Sequence, residues 1–383
     1  METETATIKD WKMVELQDVA RVDSGGNAPQ GESFFNNGQY PFVRVQHFNG
    51  SKVYVDRFDL INDEAVKKYK LKKFEKDSII FPKSGASIRL EKRAMLPVDA
   101  YVVGHLCVVR PTQINSKFLY FVLKKEKFAS SENGSTLPFL NVSHIKRHQI
   151  FVPNNLKEQE NIAHSLTVIQ DAIAEQENLV SKLKELKQSM MHHLFTHGTK
   201  GEKTKMTEIG EIPESWKRVE ICTLGQVVTG STPSTKVDKY YSSSEIDFIS
   251  PGDIGYGKYI YITEKHISKA GLEVSRPIQK DAVCCVCIGS SIGKVAKAYR
   301  ESTSNQQINS IICNSNYNSD FVYYLMTFYS DVWRGHATFG PVPLLSKGSF
   351  SKIKIPISGD KEEQSEIAHM LATIELKIEA VEV

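Results

Sequence analysis

The stretch Glu158-Gln159-Glu160-Asn161-Ile162-Ala163-His164-Ser165-Leu166 returns 205 positions later as Glu363-Gln364-Ser365-Glu366-Ile367-Ala368-His369-Met370-Leu371. Around the first occurrence, Ile162, Leu166, Ile169, Ile173, Val180, Leu183, Met190 and Leu194 follow a spacing of three and four, broken at Gln176 and Lys187. With no proline or glycine before Gly198, this pattern predicts one amphipathic helix from about Leu156 to His197. Such a helix is roughly 60 Å long at ~1.5 Å per residue, too long for one small lobe to cover. The second occurrence continues in register with Ile374, Ile378 and Val381, so the two helices can pair along a heptad seam.

Outward from this stretch the repetition continues. Trp11-Lys12 and Val14-Glu15 recur as Trp216-Lys217 and Val219-Glu220, and Met1 falls on Met206. Lys76-Asp77, Gly85 and Ser87-Ile88 recur as Lys280-Asp281, Gly289 and Ser291-Ile292, one residue out of step. The chain is one unit written twice. Each copy opens with a lobe of short β-rich runs punctuated by Gly, Pro, Asn and Ser, such as Ser78-Ile79-Ile80-Phe81 and Ala282-Val283-Cys284-Cys285-Val286. Short helices are expected at 116–127 and 320–334, and a proline-bounded strand leads from each lobe into its helix. For the two seams to meet, the second helix must run back along the first. The expectation is an α+β fold: two strand-rich lobes, 1–155 and 201–360, separated by an antiparallel pair of long helices, 156–200 and a shorter 361–383, with approximate two-fold symmetry. Two similar faces in such a frame suit a reader of duplex DNA.

Composition agrees with this organisation. A chain of 383 residues, 40% hydrophobic and 24% charged, has the size of two or three folded domains and the makeup of neither a disordered nor a fibrous protein. No run approaches 18 uncharged apolar residues, so no membrane span is expected. METETATIKDW has no secretory pattern, which makes the cytoplasm the expected location. The six cysteines contain no C-x-x-C pair and read as reduced thiols, with Cys284, Cys285 and Cys287 packed in a buried strand. The net charge of +3 is unevenly placed: the lobes carry +6 and +2, the helices −1 and −4. A basic excess on the lobes permits a polyanionic partner.

No catalytic constellation is complete. Gly289-Ser290-Ser291-Ile292-Gly293-Lys294 is one residue short of a phosphate-binding loop, and Val295 stands where a magnesium-binding hydroxyl belongs. Asp63-Glu64-Ala65-Val66 imitates a helicase box without a phosphate loop upstream. His192, His193 and His197 suit a solvated helix end at the negative pole of its dipole better than a metal site. No cofactor is expected.

Binding chemistry remains. In the first lobe Arg44, Gln46 and His47 leave a strand together, and Lys83, Ser84, Ser87, Arg89, Lys92 and Arg93 decorate a glycine-containing loop. Arg reads guanine bidentately, Gln reads adenine, and Lys and Ser hold phosphates. The second lobe offers Ser250, Asp253, Lys258, Ser290, Ser291, Lys294 and Lys297 at corresponding places. The framework is shared and these side chains differ, so the lobes are expected to read different bases. The run Lys67-Lys68-Tyr69-Lys70-Leu71-Lys72-Lys73 is a further candidate for positioning phosphates.

With these residues in view, the chain resembles the specificity subunits of bacterial type I restriction-modification systems over nearly its whole length. The likeness is carried by the W-K-x-V-E openings, Lys76-Asp77-Ser78-Ile79-Ile80 through Gly85-Ala86-Ser87-Ile88, Gly134-Ser135-Thr136, Asn305-Gln306-Gln307-Ile308-Asn309, the linker from Thr207 to Trp216, and the paired Glu-Gln-x-x-Ile-Ala helices. The resemblance implies two target-recognition domains held apart by a helical spacer, each reading half of an interrupted site in double-stranded DNA. It also implies methylation subunits carrying S-adenosylmethionine and the methyl-transfer chemistry, and restriction subunits carrying the motor and nuclease. Glu158, Gln159, His164, Glu363, Gln364 and His369 are then the candidate contacts for methylation subunits. The second helix stops at the equivalent of Asn178, which implies a weaker second docking surface. The competing readings are a coiled-coil adaptor between proteins and a self-contained methyltransferase or nuclease.

Overall fold

The computed structural model describes residues 10–48, 51–128, 139–338 and 340–382; the expectations placed on Met1, on residues 1–9 and on Gly134-Ser135-Thr136 lie outside them. The chain divides inside its long helix, Leu156–His197, into two compact units, 1–178 and 179–383.

The lobe of the first unit is built on two four-stranded sheets. One is antiparallel, in the order Ala20–Ser24, Leu106–Pro111, Ile79–Pro82, Ala94–Met95. The other orders Asp59–Ile61, Tyr40–Val43, Ala100–Val102 and Lys73–Phe74, with the central two strands parallel. Successive side chains of a strand face opposite ways. Ile79 and Phe81 therefore pack with Phe118 and Leu119 of the helix Ser116–Lys125, while Ile80 packs with Phe42 and Val102 of the other sheet. A strand covered on both faces is apolar throughout, which is why 79–81 reads as a continuous apolar run.

The second unit repeats the plan. Val283 and Cys285 face the helical core, and Cys284 and Val286 face the second sheet. Burial pushes the Cys284 thiol up to about 11 and that of Cys287 to about 12, and raises Cys285 well above its ordinary value, so these thiols stay protonated. They fill the core, as expected of them.

In each copy a short antiparallel pair joins the strand that follows the tryptophan-lysine opening to the lobe's last strand: Trp11–Glu15 with Gln149–Pro153, and Lys217–Glu220, after the hairpin Thr204–Thr207 and Gly210–Pro213, with Lys354–Ile357. The lobe thus begins and ends beside the root of its helix, and the repeated Glu-Gln dipeptide locks that root. The Trp11 indole donates to Glu158 (2.9 Å) and the Trp216 indole to Glu363 (3.2 Å). Gln159 accepts from the Asn115 backbone and Gln364 from that of Asn318, both at 2.9 Å. The same two amides donate to the carbonyls of Pro153 and Ser358.

Within the second unit the stretch after Leu179 runs antiparallel to the distal helix Lys361–Glu382. Lys184 meets Glu382 and Lys187 meets Glu375, both at 2.6 Å, and the Thr199 amide donates to Glu363 at the other end. Met191, Leu194 and Phe195 share a core with Ile367 and Leu371. Lys187, which interrupts the apolar pattern, lies over the Tyr324 ring, whose hydroxyl donates to Glu375. The expected seam does not extend along the whole long helix. Leu166, Ile169 and Ile173 are 38, 57 and 42% exposed, whereas their repeat equivalents Leu371, Ile374 and Ile378 are 0, 7 and 7% exposed. Within the second unit the distal helix lies against 184–199 and against the helix Ser319–Phe328, whose Phe321 and Tyr324 share its core.

Candidate nucleic-acid interface

In both lobes hydrogen bonds stitch five loops together at one end of the sheets. In the first, the Gly26 amide donates to Val102, Gly104 to Gly26, Val103 to Val43, Lys83 to His105 and Leu140 to Lys83. In the second, Ser231 donates to Ser304, Asn305 to Ile249, Cys287 to Gln307, Gly289 to Pro343 and Leu345 to Cys287. The closeness of these loops requires glycine at two equivalent places. A Cβ on Gly25 would stand 2.2 Å from the Val103 carbonyl oxygen, and one on Gly230 would stand 2.2 Å from that of Asn305. Gly85 and Gly289 open their loops at φ of 81° and 94°, the left-handed region where a side chain is strained.

The loop after Ile79–Pro82 brings several first-lobe candidates together. Arg89 and Lys92 are exposed and Lys83 is half-buried. The Ser84 hydroxyl lies 2.7 Å from Nδ1 of His105, and Ser87 donates to the Ser84 carbonyl. Arg93, by contrast, is a structural clamp. It lies 7% exposed over the rings of Phe81 and Phe128, bonded to Glu91 and to the carbonyls of Leu123 and Glu126. Burial lowers its pKa against the pull of Glu91. Its place at the foot of the loop excludes it from the exposed surface.

Of the trio expected to leave a strand together, only Gln46 is exposed. Arg44 is ion-paired with Asp59 at 2.6 Å and stacked on Phe35 and Phe42. His47 is 6% exposed and accepts from the Arg44 amide. Burial lowers its pKa, the nearby Asp59 opposing. All five lysines of the run 67–73 are exposed; Lys72 is paired with Asp23 and Lys73 with Asp99.

In the second lobe Ser290 and Lys294 are exposed and Ser291 is half-buried beside them. Ser250 and Asp253 close a turn on each other: the Ser250 hydroxyl donates to Asp253 at 2.6 Å, and the other Asp253 oxygen accepts from the Glu264 amide. Lys258 and Lys297, expected to meet DNA, are 8 and 1% exposed and both bind Asp320. Lys297 also reaches Asp281 at 2.9 Å. Burial alone would depress Lys297, yet its bonds to Asp320 and Asp281 outweigh that and raise it. An ammonium so enclosed holds the helix Ser319–Phe328 to the sheet and cannot reach a ligand.

The docking candidates divide likewise. Gln159, Glu363 and Gln364 are at most 3% exposed, and with Glu158 they form the root lock already described; His164 and His369 are exposed. The loop cluster also holds residues that their local sequence does not mark as contacts: His105, Thr232, Gln306 and Arg334, whose side chain lies against Gly293. The signal that finds His105 and Gln306 is the repeat itself, since 103–105 and 305–307 precede equivalent strands, Leu106–Pro111 and Ile308–Cys313.

The family described as type I restriction modification DNA specificity domain matches residues 8–185 and again 213–382. The MjaIX type I specificity subunit of Methanocaldococcus jannaschii is 38% identical over 149 residues, covering 38% of this chain and 34% of the relative. A candidate MjaX specificity subunit of the same organism is 25% identical over 400 residues, covering 97% of this chain and 88% of the relative. Among solved structures, the type I restriction-modification S subunit of M. genitalium superimposes with a TM-score of 0.66 at 14% identity, covering 100% of this chain and 93% of that one. With two successive copies matched over 8–185 and 213–382, the chain belongs to the type I restriction modification DNA specificity domain family.

Proposed function

We propose that the chain is the DNA-reading subunit of a type I restriction-modification complex, with lobes 1–155 and 201–360 each reading one half of a two-part duplex target. The observation that carries this reading is one loop-bearing end built twice on the same hydrogen-bonded frame, with different exposed side chains: Arg89, Lys92 and His105 in one lobe, Ser290, Lys294 and Gln306 in the other. A frame held constant while its tips vary is what two unlike half-sites require. In this reading the chain performs no chemistry and works in the cytoplasm. Methylation subunits supply S-adenosylmethionine and methyl transfer, and restriction subunits supply cleavage.

The surfaces left for methylation subunits are the exposed stripe Leu166, Ile169 and Ile173, the exposed His164 on another face of the same helix, and a groove of about 690 Å³ in the second unit. That groove is bordered by Lys184, His192, Tyr256, Phe328 and Glu379. Sequencing the methylated bases of a host that expresses this chain with its methylation subunit tests the proposal. An interrupted motif is expected, with one half changed when either lobe is exchanged. An uninterrupted motif, or methylation without sequence preference, overturns it.

A further inference from the structure

Within that reading, the loop cluster of the second lobe contains a side chain held as a base reader would be. Asn305, Gln306 and Gln307 form the turn before the strand Ile308–Cys313. Two of the three amides are committed to the turn. The Asn305 side chain accepts from the Gln307 backbone (3.0 Å) and donates to the Gln307 side-chain oxygen (3.1 Å), while the Gln307 amide group points to the Ile288 carbonyl. Gln306 lies between them, exposed, and among the described residues one bond holds its side chain: the Thr232 hydroxyl donates to Oε1 at 2.9 Å.

A carboxamide oxygen has two lone pairs, and its nitrogen carries two N–H groups. The Thr232 contact uses one lone pair and restrains the side chain, leaving the second lone pair and the N–H groups of the same carboxamide side by side. That is the pattern that meets the N6 amino group and N7 of adenine in the major groove. Restraining the side chain beforehand also removes part of the rotamer entropy that a long side chain loses on binding. The equivalent position of the first lobe is Gly104, which has no side chain to offer, so this device belongs to the second lobe alone. The neighbours suit the role: exposed Ser290 and Lys294 lie on the loop stitched to the same turn through Cys287 and Gln307, and can hold the backbone while Gln306 reads.

The geometry points to Gln306, oriented by Thr232, as a specificity-determining residue that selects adenine in the half-site read by the second lobe. The inference rests on the proposed function. The test selects bound duplexes from a random library with the full chain and its methylation subunit, comparing wild type with Gln306→Ala and Gln306→Glu. Gln306→Ala is expected to relax one A·T position in one half-site by roughly 5- to 150-fold. The other half-site, unaltered, reports that the variant is folded. Gln306→Glu is expected to shift that position toward cytosine, whose N4 amino group a carboxylate accepts. If wild type selects a two-part site and Gln306→Ala selects the same site equally strictly, the inference fails and the proposed function stands. Equal weakening on every duplex marks a phosphate contact and also overturns the inference. A wild type with no preference removes both.

Discussion

The two lobes are most alike where nothing is read and most unlike where reading is proposed. At the helix root the bonds repeat atom for atom: indole to glutamate, glutamine to the amide of a helix-capping asparagine, glutamine to a carbonyl. At the loop end only the backbone stitching repeats. The first lobe exposes Arg89, Lys92 and His105 there, and the second exposes Ser290, Lys294 and Gln306. Backbone bonds and buried apolar contacts are insensitive to the side chains at a loop tip, so one frame can carry two specificities. A second contrast lies in the helices, where one apolar pattern is buried at 371–378 and exposed at 166–173.

The most severe way to break the first likeness is at the indoles. Trp216→Ala removes a side chain with 0% exposure and one Glu363 bond, and is expected to cost the second unit about 3–5 kcal/mol in chemical denaturation. Trp11 is only half-buried, so Trp11→Ala is expected to cost the first unit about 2 kcal/mol. Equal losses would mean that the shared indole–glutamate bond, and not the difference in burial, sets the cost. The helices offer the next contrast. Leu371→Ala should cost about 2–4 kcal/mol and Leu166→Ala less than about 1, with both melted in the absence of partners. A comparable loss for Leu166→Ala would mean that its side chain is covered.

Two lysines three residues apart sharpen the distinction between frame and tip. Lys297→Met is expected to destabilise the second unit by about 2–3 kcal/mol, because it strips a buried ammonium from Asp320 and Asp281. Lys294→Ala should stay within about 0.5 kcal/mol of wild type in stability. It should weaken all duplexes alike and lower the salt slope of binding by about one. Sequence-selective loss from Lys294→Ala would make it a base reader.

The smallest effect expected is with pH. Burial pushes Asp320 up, but its bonds to Lys297 and Lys258 prevail and hold its carboxyl below the ordinary range. Its contribution is therefore complete above about pH 4 and is lost as the pH falls through its depressed value. In a pH series of denaturation midpoints, Asp320→Asn should be shifted down at neutral pH and approach wild type in acid. Parallel curves at every pH would show that the charge of Asp320 is not what matters.

The repetition, the lobe-then-helix order and the double-sided apolar strands were legible in the sequence because periodicity and self-similarity are local quantities. So was the separation of basic lobes from acidic helices. The individual contacts were less so. Arg93, Lys258 and Lys297 carry the charge of a DNA ligand, and nothing in their neighbours along the chain distinguishes them from Arg89 or Lys294. Glu158, Gln159, Glu363 and Gln364 invited a partner for the same reason: their own partners lie on strands and loops distant in the chain.

The amino-acid sequence by itself determined that one unit is written twice, that each copy is a mixed α/β lobe carrying a long helix, and that each lobe ends in glycine-bearing loops. Tertiary structure decided which charges are exposed and which apolar faces are covered. The reason is that burial depends on what the rest of the chain brings alongside: Asp320 encloses Lys297, Trp216 claims Glu363, and antiparallel pairing covers Leu371 while leaving its counterpart Leu166 open.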